Sequence, residues 1–155
     1  MGIDINKIIY FKAKGRDNLL KTRLKPLLNS LKQSTIERFD INVPREKIVI
    51  DIKTNSDPND KVKIVFEEVF SFYFINKQDD LKIKSCFDYT KLNSIGYYEN
   101  GIGEFTSLNN SDDEITERDI SLPNFALELI DSSIFIEARS IRINDKNFRV
   151  GYPSN

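Results

Sequence analysis

Val69-Phe70-Ser71-Phe72-Tyr73-Phe74-Ile75, VFSFYFI, places six apolar or aromatic side chains in seven positions. A run this apolar has no inexpensive home on a solvated face, and its aromatic and β-branched content favours extended backbone. It reads as a central strand buried on both faces. On that reading Phe70 and Phe72 lie in the core, where truncation to Ala costs about 3–5 kcal/mol.

Towards the N-terminus, Val62, Ile64 and Phe66 alternate with Lys61, Lys63 and Val65, the period of a strand. Asn55-Ser56-Asp57-Pro58-Asn59-Asp60 is a dense turn cluster. It joins that strand to Ile48, Ile50 and Ile52, which alternate with Val49, Asp51 and Lys53, so the two strands form a hairpin. Asp57-x-Asn59 looks like a fragment of a calcium loop but has neither the Gly nor the Glu that such a loop needs downstream. Phe39, Ile41 and Val43 share one parity ahead of Pro44, so a strand starting near Ser34 ends there. Before it, Leu20, Leu24, Leu27, Leu28 and Leu31 recur at spacings of three and four, one face of a helix with Asp17 as N-cap. Pro26 removes a backbone donor in the middle and predicts a kink or a break.

Towards the C-terminus, Asn76–Asp80 turns the chain and Leu81, Ile83, Ser85 and Phe87 alternate with Lys82 and Lys84, a strand with one wet face. Ile95–Phe105, IGYYENGIGEF, sets aromatics on both sides of Asn100-Gly101, the dipeptide that favours a two-residue hairpin turn. Ser107–Asp119 is polar and acidic and reads as a long exposed loop. Phe125, Leu127 and Leu129 form the next strand. Asp131-Ser132-Ser133 then turns the chain into Ile134–Ile143, and Asn144–Asn147 turns it again into Phe148 and Val150.

Eight or nine short strands after one N-terminal helix define a mainly β fold, an antiparallel sandwich or partly open barrel, with an α+β sheet as the alternative. A doubly wound parallel sheet needs helices between strands, and none is signalled after Gln33. The 155 residues are read as a single domain, with a basic segment at 1–33 and a β-rich body at 34–152.

The sequence contains no His, which removes the commonest general base and the usual activator of Ser and Cys nucleophiles. Its lone Cys86 makes no internal disulfide and reads as a buried small residue. Glu67, Glu68, Asp88, Glu99, Glu104, Glu128 and Glu137 lie in or near expected strands, leaving a carboxylate hydrolase as the surviving enzyme class. No motif marks any pair of them, and no phosphate-cradling Gly pattern is present. The expectation is therefore a non-enzymatic protein without metal or cofactor. No secretory signal or membrane-spanning stretch is visible, so cytoplasmic residence is the default.

A formal charge of -1 conceals a strong polarity. Residues 1–32 hold eight basic residues against Asp4 and Asp17, a net of +6, and residues 99–128 hold eight acidic residues against Arg118, a net of -7. The basic segment carries no nucleic-acid motif and no interleaved aromatics beyond Tyr10 and Phe11, so neither nucleic acid nor a membrane surface is the expected partner. A solvated helix and a solvated loop account for both charge runs without function; docking on a protein partner is the functional alternative. The docking set is Tyr97, Tyr98, Glu99, Glu104, Phe105, Asp112, Asp113, Glu114 and Glu117, an aromatic centre rimmed by acids facing a basic surface. Tyr73, Tyr97 or Tyr98 as stacking platforms would instead fit a ligand- or carbohydrate-binding module.

Ile48–Asp51, Val65–Phe74 and Ile95–Phe105, together with Asn124–Leu129 and Ile134–Ala138, resemble the YxiG-like family of Bacillus-type bacteria over about residues 34–152. Such proteins tend to be encoded beside polymorphic wall-associated or secreted toxins. The resemblance thus implies a cytosolic immunity protein that occludes a cognate toxin, and it transfers no catalytic residue.

Overall fold

The computed structural model describes residues 21–57, 59–76, 90–106 and 120–154. Helical backbone (α1) covers 21–29, followed by β1 (Ser34–Asn42), a single 3-10 turn (Val43–Arg45), β2 (Lys47–Lys53) and β3 (Lys61–Asn76). Next come β4 (Lys91–Tyr97), β5 (Phe105–Thr106), β6 (Ile120–Ser121), β7 (Phe125–Leu129), β8 (Ser132–Ile143) and β9 (Lys146–Arg149). The expected mainly β architecture with one N-terminal helix is what the chain adopts.

Strand order in the main sheet is β3-β2-β1-β4-β7-β8-β9, with every pairing antiparallel. A further ladder between β3 and β8, from Ile64 opposite Ile143 to Asn76 opposite Ser132, bends this sheet into a ring. The ring is partly open, since among the described residues β1 and β4 meet only at Ser34–Leu92 and Thr35–Lys91. Two strands, β5 and β6, form a separate short ribbon.

Alternation decides what fills the ring. Ile48, Ile50 and Ile52 from β2, Val62, Ile64 and Phe66 from β3 and Leu127, Ile136 and Ile141 from β7 and β8 are buried in one cluster. Leu24 and Leu28 from the inner face of α1, with Leu31 just beyond its end, join the same cluster, so the leucine spacing serves to cover one end of the ring. Helical backbone continues through Pro26 rather than breaking there. The Asn55–Asp60 turn joins β2 to β3 as expected, and Asp57 spends its carboxylate oxygen on the Asn59 N–H at 2.9 Å.

The aromatic run departs from its expectation. β2 ends opposite Glu67, whereas β3 continues for nine more residues paired with β8. Glu68 takes a left-handed conformation (φ 52°) at this point. Arg139 binds its carboxylate at 3.0 Å and the Tyr152 hydroxyl binds its carbonyl at 2.7 Å. Beyond it the strand has outrun the core, so Phe70 is 63% exposed with its ring edge-on to Tyr152, while Phe72 is half-buried against Phe39. The two-sided burial belongs to the preceding Ile64, Val65 and Phe66. Strand length relative to its neighbour, which hydropathy does not encode, sets the difference.

The Asn100-Gly101 hairpin also resolves differently. β4 pairs with β1 and β7 and not with β5. After Tyr97 the chain instead follows residues 123 and 124, with the Tyr98 N–H donating to Asn124 O (2.9 Å) and the Ile102 N–H to Pro123 O (2.8 Å). Gly101 still adopts a positive φ of 79° and closes a turn on Tyr98 O. The expected strand at Leu81–Phe87, Cys86, the Asp17 cap and the loop at Ser107–Asp119 lie outside the described residues.

Phe66→Ala should cost about 3–5 kcal/mol and Phe70→Ala less than about 1 kcal/mol, measured by urea denaturation, because only the first removes a fully buried ring. Equal losses would contradict the position of the core boundary at Glu68.

Candidate functional site

The acidic segment springs from the β5–β6 ribbon, and that ribbon lies on the outside of the β3–β8 ladder. Two contacts hold it there. Phe105 stacks on Tyr73 of β3 (centroids 4.5 Å apart, 27° between planes) and leans on Phe135 of β8 at 5.4 Å. Beside this, Glu137 of β8 is only 7% exposed. Its carboxylate accepts from the Ser121 hydroxyl at 2.7 Å, the Leu122 N–H at 2.8 Å and the Ser71 hydroxyl at 3.4 Å. Ser71 and Ser121 also bond to each other. A carboxylate taken from water needs such donors, so Glu137 fixes where the ribbon returns to the ring.

Asn124 continues the anchorage into the core. Its side-chain amide donates to Ala138 O (2.9 Å) and Gly151 O (3.2 Å), and its carbonyl accepts the Ala138 N–H at 3.0 Å. The amide thereby extends the β7–β8 ladder beyond Phe125 by imitating a peptide group. Neither Asn124 nor Glu137 was singled out as a binding residue. Both sit on the outer parity of their alternations, in NFALEL and IFIEA, where a polar residue is ordinary, so local pattern carried no signal for them.

The nine expected docking residues separate into three groups. Tyr97 faces the core, 6% exposed and 5.2 Å from the Phe125 ring, so it supports the surface from beneath. Phe105 is likewise engaged in the ribbon clamp. Tyr98 is 48% exposed with its ring across Gly96, where an added Cβ would come within 2.9 Å of the ring. Glu99 and Glu104 are exposed as well. Asp112, Asp113, Glu114 and Glu117 lie outside the described residues, between the ribbon's two strands.

Glu99 forms an ion pair with Lys21 of α1 at 2.6 Å. The bond from the Lys21 ammonium, then its charge, holds the Glu99 carboxyl below the usual carboxylate range, and Lys25 adds to this. The basic and acidic segments therefore touch, at least at this point. The remaining strand carboxylates serve cross-strand contacts: Glu67 pairs with Lys47 and Arg142, Glu68 with Arg139, and Glu128 accepts from Ser133. Among the described residues no group of three or more carboxylates and thiols is placed to hold a metal ion.

An antiparallel β-ring, covered at one end by a helix and carrying a clamped ribbon on its outer face, is the class of protein these observations define. The model of the YxiG-like protein family matches residues 24–148, and the chain belongs to that family. The match begins at Leu24, so it takes in most of α1 as well as the β body. No curated protein and no solved structure matches the chain.

Burial, assisted by the nearby Glu99 charge, pushes the Tyr97 phenol up to about 12. The folded state therefore favours the protonated phenol. Its contribution to stability is intact below pH of about 10, the unfolded value, and is lost as pH rises through about 12. In a phenolate absorbance titration, wild type should lose a late-ionising tyrosine on Tyr97→Phe. An unchanged titration apart from one ordinary tyrosine would contradict the burial.

Proposed function

We propose that this protein is a non-enzymatic protein-binding protein, an immunity-type inhibitor of a cognate bacterial toxin, working in the cytoplasm of the producing cell by occluding the toxin surface. The observation that carries this reading is the clamped ribbon. Two anchors, the half-buried Phe105 against two aromatic rings and the buried Glu137 beneath Ser121 and Leu122, serve a ribbon only two residue pairs long. The sequence between its two strands holds Asp112, Asp113, Glu114 and Glu117, and Tyr98, Glu99 and Glu104, close by in sequence, are exposed. Clustered charge of one sign steers a basic partner into register, and an anchored base lowers the ordering cost of docking. Tyr97 and Phe105 support the surface, and Tyr98 supplies its aromatic contact.

A second reading, a carbohydrate-binding module, draws on the exposed Tyr98 ring braced by Gly96. It predicts oligosaccharide binding that Tyr98→Ala abolishes.

The deciding experiment measures association kinetics with the toxin encoded beside the gene, comparing wild type with the triple variant Asp112→Asn, Asp113→Asn, Glu114→Gln. Association should slow by about tenfold or more and lose much of its dependence on salt. Equal rates with equal salt dependence would reduce the acidic segment to a solvated surface.

A further inference from the structure

Two clefts meet at the end of the ring that α1 covers. The outer, of about 610 Å3, lies between Arg23, Pro26 and Leu27 on the helix and Lys146, Asn147 and Phe148 on β9. The inner, of about 440 Å3, reaches past Leu31 and Val62 to Asp60 and Asp145. Leu27, Ser30 and Lys146 line both, so the clefts are continuous. Each falls in the range of about 300–1,000 Å3 that small-molecule sites occupy.

The charges in this groove are sorted. Its outer part carries Arg23 and Lys146 and no carboxylate, while its inner part carries Asp60 and Asp145, with Lys146 at the junction of the two. Neither Arg23 nor Lys146 has an ion-pair partner among the described residues. Elsewhere on the barrel Lys47, Lys61, Arg139 and Arg142 are each paired with a glutamate. The last turn of α1 does not consume the two cations either, since Leu27 O already accepts from the Ser30 hydroxyl at 2.6 Å and Pro26 O from the Ser30 N–H at 3.1 Å. Pro26, Leu27 and Phe148 line the same cleft and supply its apolar part.

We propose that this cleft binds a small organic anion with an apolar body, a carboxylate or a phosphate monoester. The anionic head sits between Arg23 and Lys146, where charge-assisted bonds are available, and the body rests on Pro26, Leu27 and Phe148. Asp60 and Asp145 repel the head from the inner cleft and so fix the orientation. The ligand bridges α1 and β9, so binding stabilises the docked helix and raises Tm with the logarithm of ligand concentration once that exceeds Kd. This site is separate from the acidic ribbon and does not depend on the reading of it.

The probes are decanoate, decyl phosphate and decanol, each kept below self-association and titrated into the full chain by calorimetry. Saturable binding of at least one anion, with a rise in Tm, is expected; the stronger of the two identifies the head group. The double variant Arg23→Gln, Lys146→Gln should bind that anion about tenfold or more weakly, as loss of charge-assisted bonds implies. Its ligand-free Tm should match wild type, because both side chains are exposed and without ion pairs. Three results overturn the proposal: decanol binding as tightly as the anions, anion binding unchanged in the double variant, or no saturable binding of either anion.

Discussion

The ladder between β3 and β8 is the constraint on which the rest depends. Eleven residue pairs, Ile64–Ile143 through Asn76–Ser132, convert an open sheet with two edges into a ring, so the isoleucines of β2, β3 and β8 face one another across a shared interior. Without it β3 would be an edge strand ending in exposed aromatics. The same ladder makes the platform for the ribbon, since Ser71 and Tyr73 come from one strand and Phe135 and Glu137 from the other.

β8 can play this part because its second edge is satisfied piece by piece. β7 covers Ser133–Ile136, the Asn124 amide covers Ala138, the Val150 and Gly151 N–H groups both donate to Arg139 O, and β9 covers Ser140–Ile143. Each change of partner coincides with a polar side chain or a turn. A buried strand with unpaired backbone would lose free energy at every such junction, so Asn124 is a structural necessity of the strand exchange. Glu137, one residue before Ala138, extends the same logic outward to the ribbon.

Alternation and turn chemistry made much of this legible. Ile48–Ile52 against Val62–Phe66, joined through Asn55–Asp60, fixes β2 and β3. Asn144-Asp145 fixes the β8–β9 turn, with Ile143 opposite Lys146. What alternation does not contain is the length of the neighbouring strand. VFSFYFI is apolar enough for a core, yet three of its uses lie outside it: Phe72 against Phe39 at the rim, Tyr73 beneath Phe105, and Phe70 against Tyr152. The candidate site was legible as a run of charge but not in the direction its side chains take. IGYYENGIGEF set aromatics and acids side by side, while the sides taken by Tyr97 and Tyr98 followed from hydrogen bonds to residues 123 and 124, some 25 positions away. Contacts that distant leave no trace in local pattern.

The account stands most directly on the clamp that joins the ring to the ribbon, and the Leu122 amide, donating to Glu137, reports on it. Amide hydrogen exchange should show Leu122 protected in wild type. In Phe105→Ala, Leu122 protection should fall while the β8 amides of Ile136 and Ala138 keep theirs. Exchange of Leu122 at the rate of an unstructured peptide in wild type would contradict the account.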